Sequence, residues 1–386
     1  MTAKRPTAGD FVHTPSPPTD GFNSLSVPTY RASTITYPNL DSFVARGSRG
    51  REAYTYGLAG TPTSRALADK LTALENGTDT FLTSSGLMAI TVTFLALLSA
   101  GDRVLLPETV YAPVRRFAAD TLSKLNIGAQ YYDPTEQIDL SAFGPELRLL
   151  WIESPGSLTM EMQNIIALSR QAKAHGVLVG CDNSWATPLY CQPLDLGADI
   201  VIEAVTKYLS GHSDILLGSI TVRTEELAAK IHATVRSLGV GVSPDDCFLA
   251  LRGLETAPIR LEHVGRTALL LAERLRQHDS VVEVLMPALP DAAGHALWSR
   301  QYAGTSGVFS FIMNSEDEDS FRARFIRLKL IQIGASWGGT HSLIAPSPIT
   351  DGRCGRRYHG QQIVRISVGL EDAAAIGEDL DRFLDD

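Results

Sequence analysis

The sequence is poor in cysteine, with four among 386 residues: Cys181, Cys191, Cys247 and Cys354. Their spacing matches neither a metal site nor a redox pair, and no cluster of His, Cys and carboxylates has zinc spacing. Disulfide frameworks are typical of much smaller secreted chains. We therefore expect reduced thiols and no bound metal.

Long apolar runs and an excess of positive charge are also absent. The most apolar run, residues 90–100, is too short to span a bilayer and predicts a buried helix. The amino terminus MTAKRPTAGDF lacks the apolar run of a signal peptide. Lys and Arg number 34 against 43 Asp and Glu, a net charge of −9 without a basic stripe. We expect a soluble, cytoplasmic protein that binds neither nucleic acid nor membrane.

From about residue 61, short apolar runs alternate with amphipathic helices. The segment SRALADKLTALENG predicts a helix that ends at Gly77, and TDTFL predicts a strand before a turn. Further strand-like runs follow: RVLLPE, LRLLWIES, VLVGCDN, DIVIEAV and ILLGSITV. Such alternation indicates an α/β fold with a mostly parallel central sheet that helices cover on both faces.

The chain divides into three parts by composition. Residues 1–60 are rich in Pro, Ser, Thr and Gly and predict an extended N-terminal arm that packs on a neighbouring subunit. Residues 61–255 carry the α/β alternation and form a large domain. Residues 256–386 combine long helices with strands such as GVFSFIM and IVRISVGL, which predicts a smaller C-terminal α+β domain.

Three features lie where strands of the predicted sheet end: the turn TSSGLMA, Asp182 and Lys207. In open α/β sheets, ligands bind beyond the carboxyl ends of the strands. Each feature alone is commonly structural or merely solvated. Together they supply a helix N-terminus for a phosphate, a carboxylate for a pyridinium and a lysine for an imine. These are the elements that pyridoxal 5'-phosphate (PLP) requires.

The segment VTKYLSGHSD around Lys207 resembles the PLP-lysine signature of the Cys/Met-metabolism (transsulfuration) enzymes, which have fold type I, the aspartate-aminotransferase-like fold. Eight further motifs match this family in order and spacing: YGLAGTPT (56–63), TSSGLMA (83–89), ETVYAP (108–113), ESPGSLTME (153–161), CDNSWATPL (181–189), SPDDCFLALRGLET (243–256), SWGG (336–339) and VRISVGLED (364–372).

The resemblance implies specific roles around the cofactor. Lys207 forms the Schiff base with PLP and, once released by the substrate, removes the proton at Cα. Asp182 holds the pyridinium proton. The amides of Gly86 and Leu87, with the hydroxyl of Thr206, bind the phosphate.

The resemblance also implies substrate contacts. Tyr111 stacks on the pyridine ring and assists departure of the leaving group, while Tyr56 reaches the site of a neighbouring subunit. Arg365 binds the substrate α-carboxylate, flanked by Ser336 and Trp337. Such sites form between paired subunits, so we expect at least a homodimer. The family usually forms tetramers, which we also expect here, and the expected substrate is a small amino acid.

Structural alternatives exist for several of these residues. Arg365 can belong to an ion pair within a strand, Trp337 to the core, and Tyr111 can pack beside Pro113. We interpret His212 and His341 as hydrogen-bonding structural residues. A non-catalytic protein of the same fold is disfavoured, because it would be expected to have lost Lys207, Asp182 or Arg365.

Two motifs bear on the reaction. ASWGG at 335–339 and ESPGSLTME at 153–161 resemble the bacterial cystathionine β-lyases, whereas enzymes of γ-chemistry typically carry ESLGG and ESPxNP. Ala335 thus stands where those enzymes have an acidic residue. We expect β-elimination from L-cystathionine or related cysteine S-conjugates. The alternative is γ-elimination or γ-replacement, as in the γ-lyases, γ-synthases and O-acylhomoserine sulfhydrylases.

Three places depart from the family pattern. Leu58 stands where many members have an Arg that binds the phosphate across the subunit interface, and Arg49 or Arg51 are candidate substitutes. Ala204 stands where a Ser often binds the phosphate. Thr340 and His341 replace the usual aromatic-Glu pair, so the resemblance does not define the contacts with the distal part of the substrate.

Overall fold

The computed structural model describes residues 5–15, 21, 24–50, 53–314, 316–347, 357–358 and 360–385. Cys354 and Arg51, both considered above, lie outside these ranges. The α-helices are α1 Ala8–Val12, α2 Leu40–Val44, α3 Pro62–Leu74, α4 Gly86–Leu97, α5 Ala112–Phe117, α6 Ile165–Ala174, α7 Thr187–Tyr190, α8 Glu225–Leu238, α9 Pro244–Leu275, α10 His295–Gln301, α11 Glu318–Ile326 and α12 Ala373–Leu384.

Seven strands form the large sheet, in the order β1-β7-β6-β5-β4-β2-β3. Their bounds are β1 Asp79–Thr83, β2 Arg103–Pro107, β3 Gly128–Tyr132, β4 Leu147–Glu153, β5 Leu178–Asp182, β6 Ile200–Glu203 and β7 Gly218–Val222. Only β7 runs against its neighbours. The four central pairings, from β3 to β6, are parallel. The predicted mostly parallel sheet is therefore confirmed.

Helix α4 covers one face of this sheet and contains most of the predicted apolar run. Its residues Ala89, Ile90, Val92 and Phe94 are fully buried, so the apolar run serves the core, as predicted. Among the described residues, no helix is both long and apolar enough to cross a bilayer.

Five strands form a second, smaller sheet in the order β10-β11-β12-β9-β8. They are β8 Val281–Leu285, β9 Val308–Met313, β10 Gln332–Ile333, β11 Leu343–Pro346 and β12 Gln362–Ser367. The predicted boundary between residues 255 and 256 falls inside α9, a single helix of 32 residues. The division of the chain into domains stays a prediction, because α9 packs with residues from both sides of that boundary.

One helix ends differently from its prediction. Helix α3 ends at Leu74, with Glu75 as its C-cap and Asn76 in the left-handed conformation at φ 54°. Gly77 is needed for another reason, because a Cβ there would lie 2.3 Å from Cγ2 of Thr221 on β7. The glycine therefore permits the helix end to approach the sheet rather than ending the helix.

Candidate active site

The carboxyl ends of the parallel strands border one cavity of about 210 Å³ between the two sheets. Eight predicted site residues line it: Gly86, Leu87, Tyr111, Asp182, Thr206, Lys207, Trp337 and Arg365. Parallel strands end at the same edge of a sheet, which is why residues distant in sequence meet here. The small sheet closes the cavity with β12, which carries Arg365.

Lys207 lies in the segment after β6 and reaches across to the small-sheet side. Its Nζ donates to Oγ of Ser336 at 2.7 Å and lies 5.0 Å from the centroid of the Trp337 ring. Burial, helped by the nearby positive charge of Arg365, lowers the pKa of Lys207 to about 8. About a tenth of this amine is therefore neutral near pH 7, far more than for an ordinary lysine, and the neutral form is the one a nucleophile requires.

Asp182 is the last residue of β5 and borders the same cavity. Its Oδ1 accepts a hydrogen bond from the Ser184 amide at 3.0 Å. Burial raises the pKa of Asp182, while the hydrogen bonds from Ser184 and the charge of Lys207 lower it. A cationic N–H placed against this buried carboxylate would hold it ionised.

The N-terminus of α4 forms the wall near Ala204. Ser85 caps the helix through its Oγ, which accepts from the Met88 amide at 3.1 Å. The amides of Gly86 and Leu87 belong to the first turn, whose N–H groups have no acceptor within a helix. A Cβ at Gly86 would lie 2.7 Å from the Cβ of Ala204, so only glycine allows this approach. These amides and the helix dipole suit a phosphate.

Thr206 lines the cavity, but its hydroxyl is already engaged. The Oγ1 atom donates to the Leu217 carbonyl at 3.1 Å and accepts from the Leu217 amide at 2.9 Å. Its phosphate contact stays a prediction, and a hydroxyl donor is free for it only if the bond to the Leu217 carbonyl is given up.

Arg365 is available for a ligand anion. Its Nη2 donates to the carbonyls of Ala335 at 2.7 Å and Ser336 at 3.2 Å. Both of these hydrogen bonds go to carbonyls, and no carboxylate of the described residues pairs with Arg365, so the alternative of a structural ion pair gains no support. Burial lowers the pKa of Arg365, yet an arginine stays charged at neutral pH. A partly buried, orientated guanidinium without a counter-ion is suited to a carboxylate.

Tyr111 and Glu153 are coupled at the cavity wall. The Tyr111 amide donates to Oε2 of Glu153 at 2.8 Å. Burial and the charges of Glu153 and Asp182 raise the pKa of the Tyr111 phenol, which therefore stays protonated at neutral pH. Glu153 was not among the predicted site residues. Its position at the end of β4, in register with Asp182 on β5, is the signal that could have identified it.

Other lining residues were also missed, because they are apolar and carry no motif chemistry. They include Ile90, Pro155, Leu158, Met160, Trp185, Leu216 and Val308. The described ranges contain no group of three or more His, Cys, Asp or Glu side chains that could hold a metal ion.

Tyr56 lies apart from Lys207. It is 53% exposed and lines a different cavity, together with Leu58 and His232. Its contribution to a neighbouring subunit's site stays a prediction. Arg49 lies with its guanidinium 5.7 Å from the centroid of the Tyr37 ring and does not line the Lys207 cavity.

The two histidines form local hydrogen bonds. Nδ1 of His212 lies 2.6 Å from the Ser210 carbonyl, and Nδ1 of His341 lies 3.0 Å from Oγ1 of Thr340. Neither histidine lines the Lys207 cavity, in keeping with a structural interpretation.

The family model described as Cys/Met metabolism PLP-dependent enzyme matches residues 8–385. The chain belongs to this family. Its cofactor is pyridoxal 5'-phosphate, and its fold is fold type I, as predicted.

Relatives of different activity resemble the chain closely. A cystathionine β-lyase of Bordetella avium is 37% identical over 378 residues, covering 96% of this chain and 94% of that protein. An L-alanine/L-glutamate racemase of Wolbachia pipientis is 36% identical over 377 residues, covering 94% and 92%. Cystathionine γ-synthase of Xanthomonas oryzae, solved with cystathionine, superposes with a TM-score of 0.90 at 29% identity, covering 98% and 97%. Family membership thus fixes the cofactor but leaves several reactions open.

The residues of the cavity fit PLP. The α4 amides, Asp182 and Lys207 offer an anion site, a carboxylate and an amine whose pKa is low. Glycine at position 86 places no side chain beside Ala204 at the amide end of the cavity.

Proposed function

We propose that this enzyme is a carbon–sulfur β-lyase that converts L-cystathionine, or a related cysteine S-conjugate, with water to a thiol, pyruvate and ammonia. The observation that carries the proposal is Ala335, which lines the cavity directly beside the Lys207–Ser336 pair. The ESLGG motif that is typical of enzymes of γ-chemistry has an acidic residue at this place. An alanine supplies no acid or base for the additional proton transfers at Cβ that γ-chemistry requires.

The proposed cofactor contacts follow from the fit between the cavity residues and PLP. We assign the phosphate to the α4 amides of Gly86 and Leu87 with Thr206, and the pyridine nitrogen to Asp182. Lys207 is the covalent attachment. When bound, PLP disperses the negative charge that forms at Cα of an amino acid.

The proposed substrate contacts use both sheets. Arg365 binds the α-carboxylate, while Ser336 and Trp337 flank it. Lys207, neutral in part near pH 7, accepts the proton from Cα. Ser336 Oγ lies where it can hold the Lys207 amine in a fixed direction. Tyr111, protonated at neutral pH, donates a proton to the departing sulfur as the Cβ–S bond breaks, which balances the charge on the thiolate.

We further propose a homo-oligomer in which Tyr56 contributes to the partner's site. Its exposure and its separation from the Lys207 cavity support this, since a residue of the same chain's site would be expected to line that cavity. The tetramer, the cytoplasmic location and the division at residues 60 and 255 belong to the same proposal.

The test is a product assay with L-cystathionine. We expect pyruvate together with the free thiol of homocysteine, and loss of both in Lys207→Ala. Production of 2-oxobutyrate would contradict β-elimination and support the γ-enzyme alternative, for which the structural likeness to a γ-synthase is the present argument.

A further inference from the structure

Two carboxyl side chains lie buried behind the proposed cofactor site. Glu75 is the C-cap of α3 and Glu203 is the last residue of β6, and their exposed fractions are 0% and 1%. Glu203 lies four residues before Lys207. Burial of an unpaired carboxylate is costly, so these two groups need a compensating interaction.

The two carboxyl groups lie close enough to interact with one another. Among the described residues, no hydrogen bond of good geometry reaches either oxygen of Glu75 or Oε2 of Glu203, although the Asn183 side chain lies near enough to Glu75 to stabilise its charged form in part. A hydrogen bond between the two carboxyl groups is the remaining way to satisfy them, and such a bond needs a proton. Two facing buried carboxylates cannot both be ionised at low cost.

The surroundings strengthen this conclusion. Burial raises the pKa of Glu75 to about 8, and burial with the charge of Glu75 raises the pKa of Glu203. The other titratable groups that face the pair are Asp182, Asp195, Cys181 and Cys191. None of these groups is a cation, so none favours a second negative charge on the pair.

Asn183 connects the pair to Asp182, the residue directly before it. Its Nδ2 donates to Oε1 of Glu203 at 3.0 Å and to the Cys191 carbonyl at 3.0 Å. Its backbone amide donates to the Ile202 carbonyl at 2.9 Å. These hydrogen bonds attach the turn that begins at Asp182 to the end of β6. The side chain of Glu203 accepts one of them.

We propose that Glu75 and Glu203 share one proton and that this pair is a positioning device for Asp182, acting through Asn183. With the shared proton in place, the Glu203 oxygen holds the Asn183 amide. When the pair loses that proton, repulsion drives the carboxylates apart and the attachment of Asn183 weakens. The inference rests on the proposed contact between Asp182 and the cofactor.

The experiment titrates PLP into apoprotein and follows the visible absorbance of the bound cofactor at about pH 7 and about pH 9. At the lower pH we expect Glu203→Ala to weaken binding about tenfold, the effect of one buried hydrogen bond. Glu203→Gln keeps an acceptor for Asn183 and should stay within about twofold of wild type, as should the exposed control Glu146→Gln. Asn183→Ala combined with Glu203→Ala should be no worse than Glu203→Ala alone.

The shared proton has its own readout in the pH dependence of apoprotein stability. The folded pKa of Glu75 lies above its ordinary value, so the stabilisation is complete at acid pH and is lost as the pH rises towards about 8. Glu75→Gln and Glu203→Gln should flatten this decline in the melting temperature, whereas Glu146→Gln should not.

Two results would overturn the inference. One is a cofactor affinity of Glu203→Ala within about twofold of wild type, and the other is a fall in the melting temperature of Glu75→Gln with rising pH that is as steep as in wild type. If Glu203→Ala does not fold, the melting temperatures of Glu75→Gln and Glu203→Gln over the pH series still test the shared proton. Asp182→Ala separates the inference from the role on which it rests. Wild-type affinity in Asp182→Ala would refute the cofactor contact, while the stability series would still test the shared proton.

Discussion

Lys207 and Ser336 join the two sheets of the protein across the cavity. The 2.7 Å hydrogen bond from Nζ to Oγ connects the segment after β6 in the large sheet to the loop that follows β10 in the small sheet. The carbonyl of the same serine accepts a hydrogen bond from Arg365. Ser336 therefore contacts both the proposed base and the proposed carboxylate-binding residue.

Ser336→Ala tests this connection. Without the hydroxyl acceptor, the Lys207 amine is less firmly directed and its charged form is less stable, so its pKa should fall below about 8. We expect kcat/KM for the amino-acid substrate to fall about tenfold. Steady-state assays measure the kinetic effect, and the pH dependence of apoprotein unfolding measures the pKa of the free amine. Ser299→Ala on the exposed face of α10 is the control. Unchanged kinetics would argue against a role for the hydroxyl.

Arg365→Leu should raise KM by about 100-fold or more, because the proposed bidentate contact with the α-carboxylate is lost. Arg365→Lys should recover only part of this loss, since an ammonium lacks the planar pair of donors. Cofactor content, read from the visible absorbance, should change little in either variant. A fall in cofactor content without a rise in KM would place Arg365 in the cofactor site instead.

Gly86→Ala should weaken PLP binding about 10- to 100-fold, because the added Cβ would lie 2.7 Å from Ala204 and displace the first turn of α4. Equilibrium titration of apoprotein with PLP measures the loss. Gly47→Ala is the matched control, as a Cβ there meets no atom within 4 Å. Equal affinity in the two variants would contradict the assignment of the phosphate to this helix.

Lys207→Met should stabilise the apoprotein at neutral pH. The folded pKa of Lys207 is about 8, below its ordinary value of about 10.4, so the folded state opposes the charged amine. The resulting destabilisation is present below about pH 8 and disappears as the pH rises towards the ordinary value. We expect a gain of about 1–2 kcal/mol near pH 7 and little gain near pH 10, measured by urea unfolding. A loss of stability at both pH values would contradict a strained, desolvated amine.

Much of this site could be predicted from sequence, because its polar residues stand at strand ends and in recognisable motifs. Asp182 and Lys207 follow apolar runs that define their strands, and the turn before α4 is marked by Ser85 and Gly86. The resemblance of nine segments to one family then predicted the cofactor. These signals are local in the chain, so they can be recognised without knowledge of the tertiary fold.

Other features depend on tertiary contacts and left no local signal. Glu153 was overlooked because its partner, the Tyr111 amide, lies 42 residues away. The occupied hydroxyl of Thr206 follows from its pairing with Leu217 across a loop. Glu75 was included in a predicted helix end, and only the packing of α3 against the sheet brings it to Glu203.

The two sheets contribute different groups to the proposed site, and this has a consequence for substrate choice. In the proposed site, the cofactor attached to Lys207, after a strand of the large sheet, takes the substrate amine, and Arg365 in the small sheet takes the carboxylate. These two contacts recognise a spacing of atoms that every α-amino acid shares. Apolar residues such as Leu158 and Leu216 line the rest of the cavity, and we expect the side chain of the substrate to meet them. New specificities can therefore arise by substitution of those walls while the residues that perform the chemistry stay unchanged.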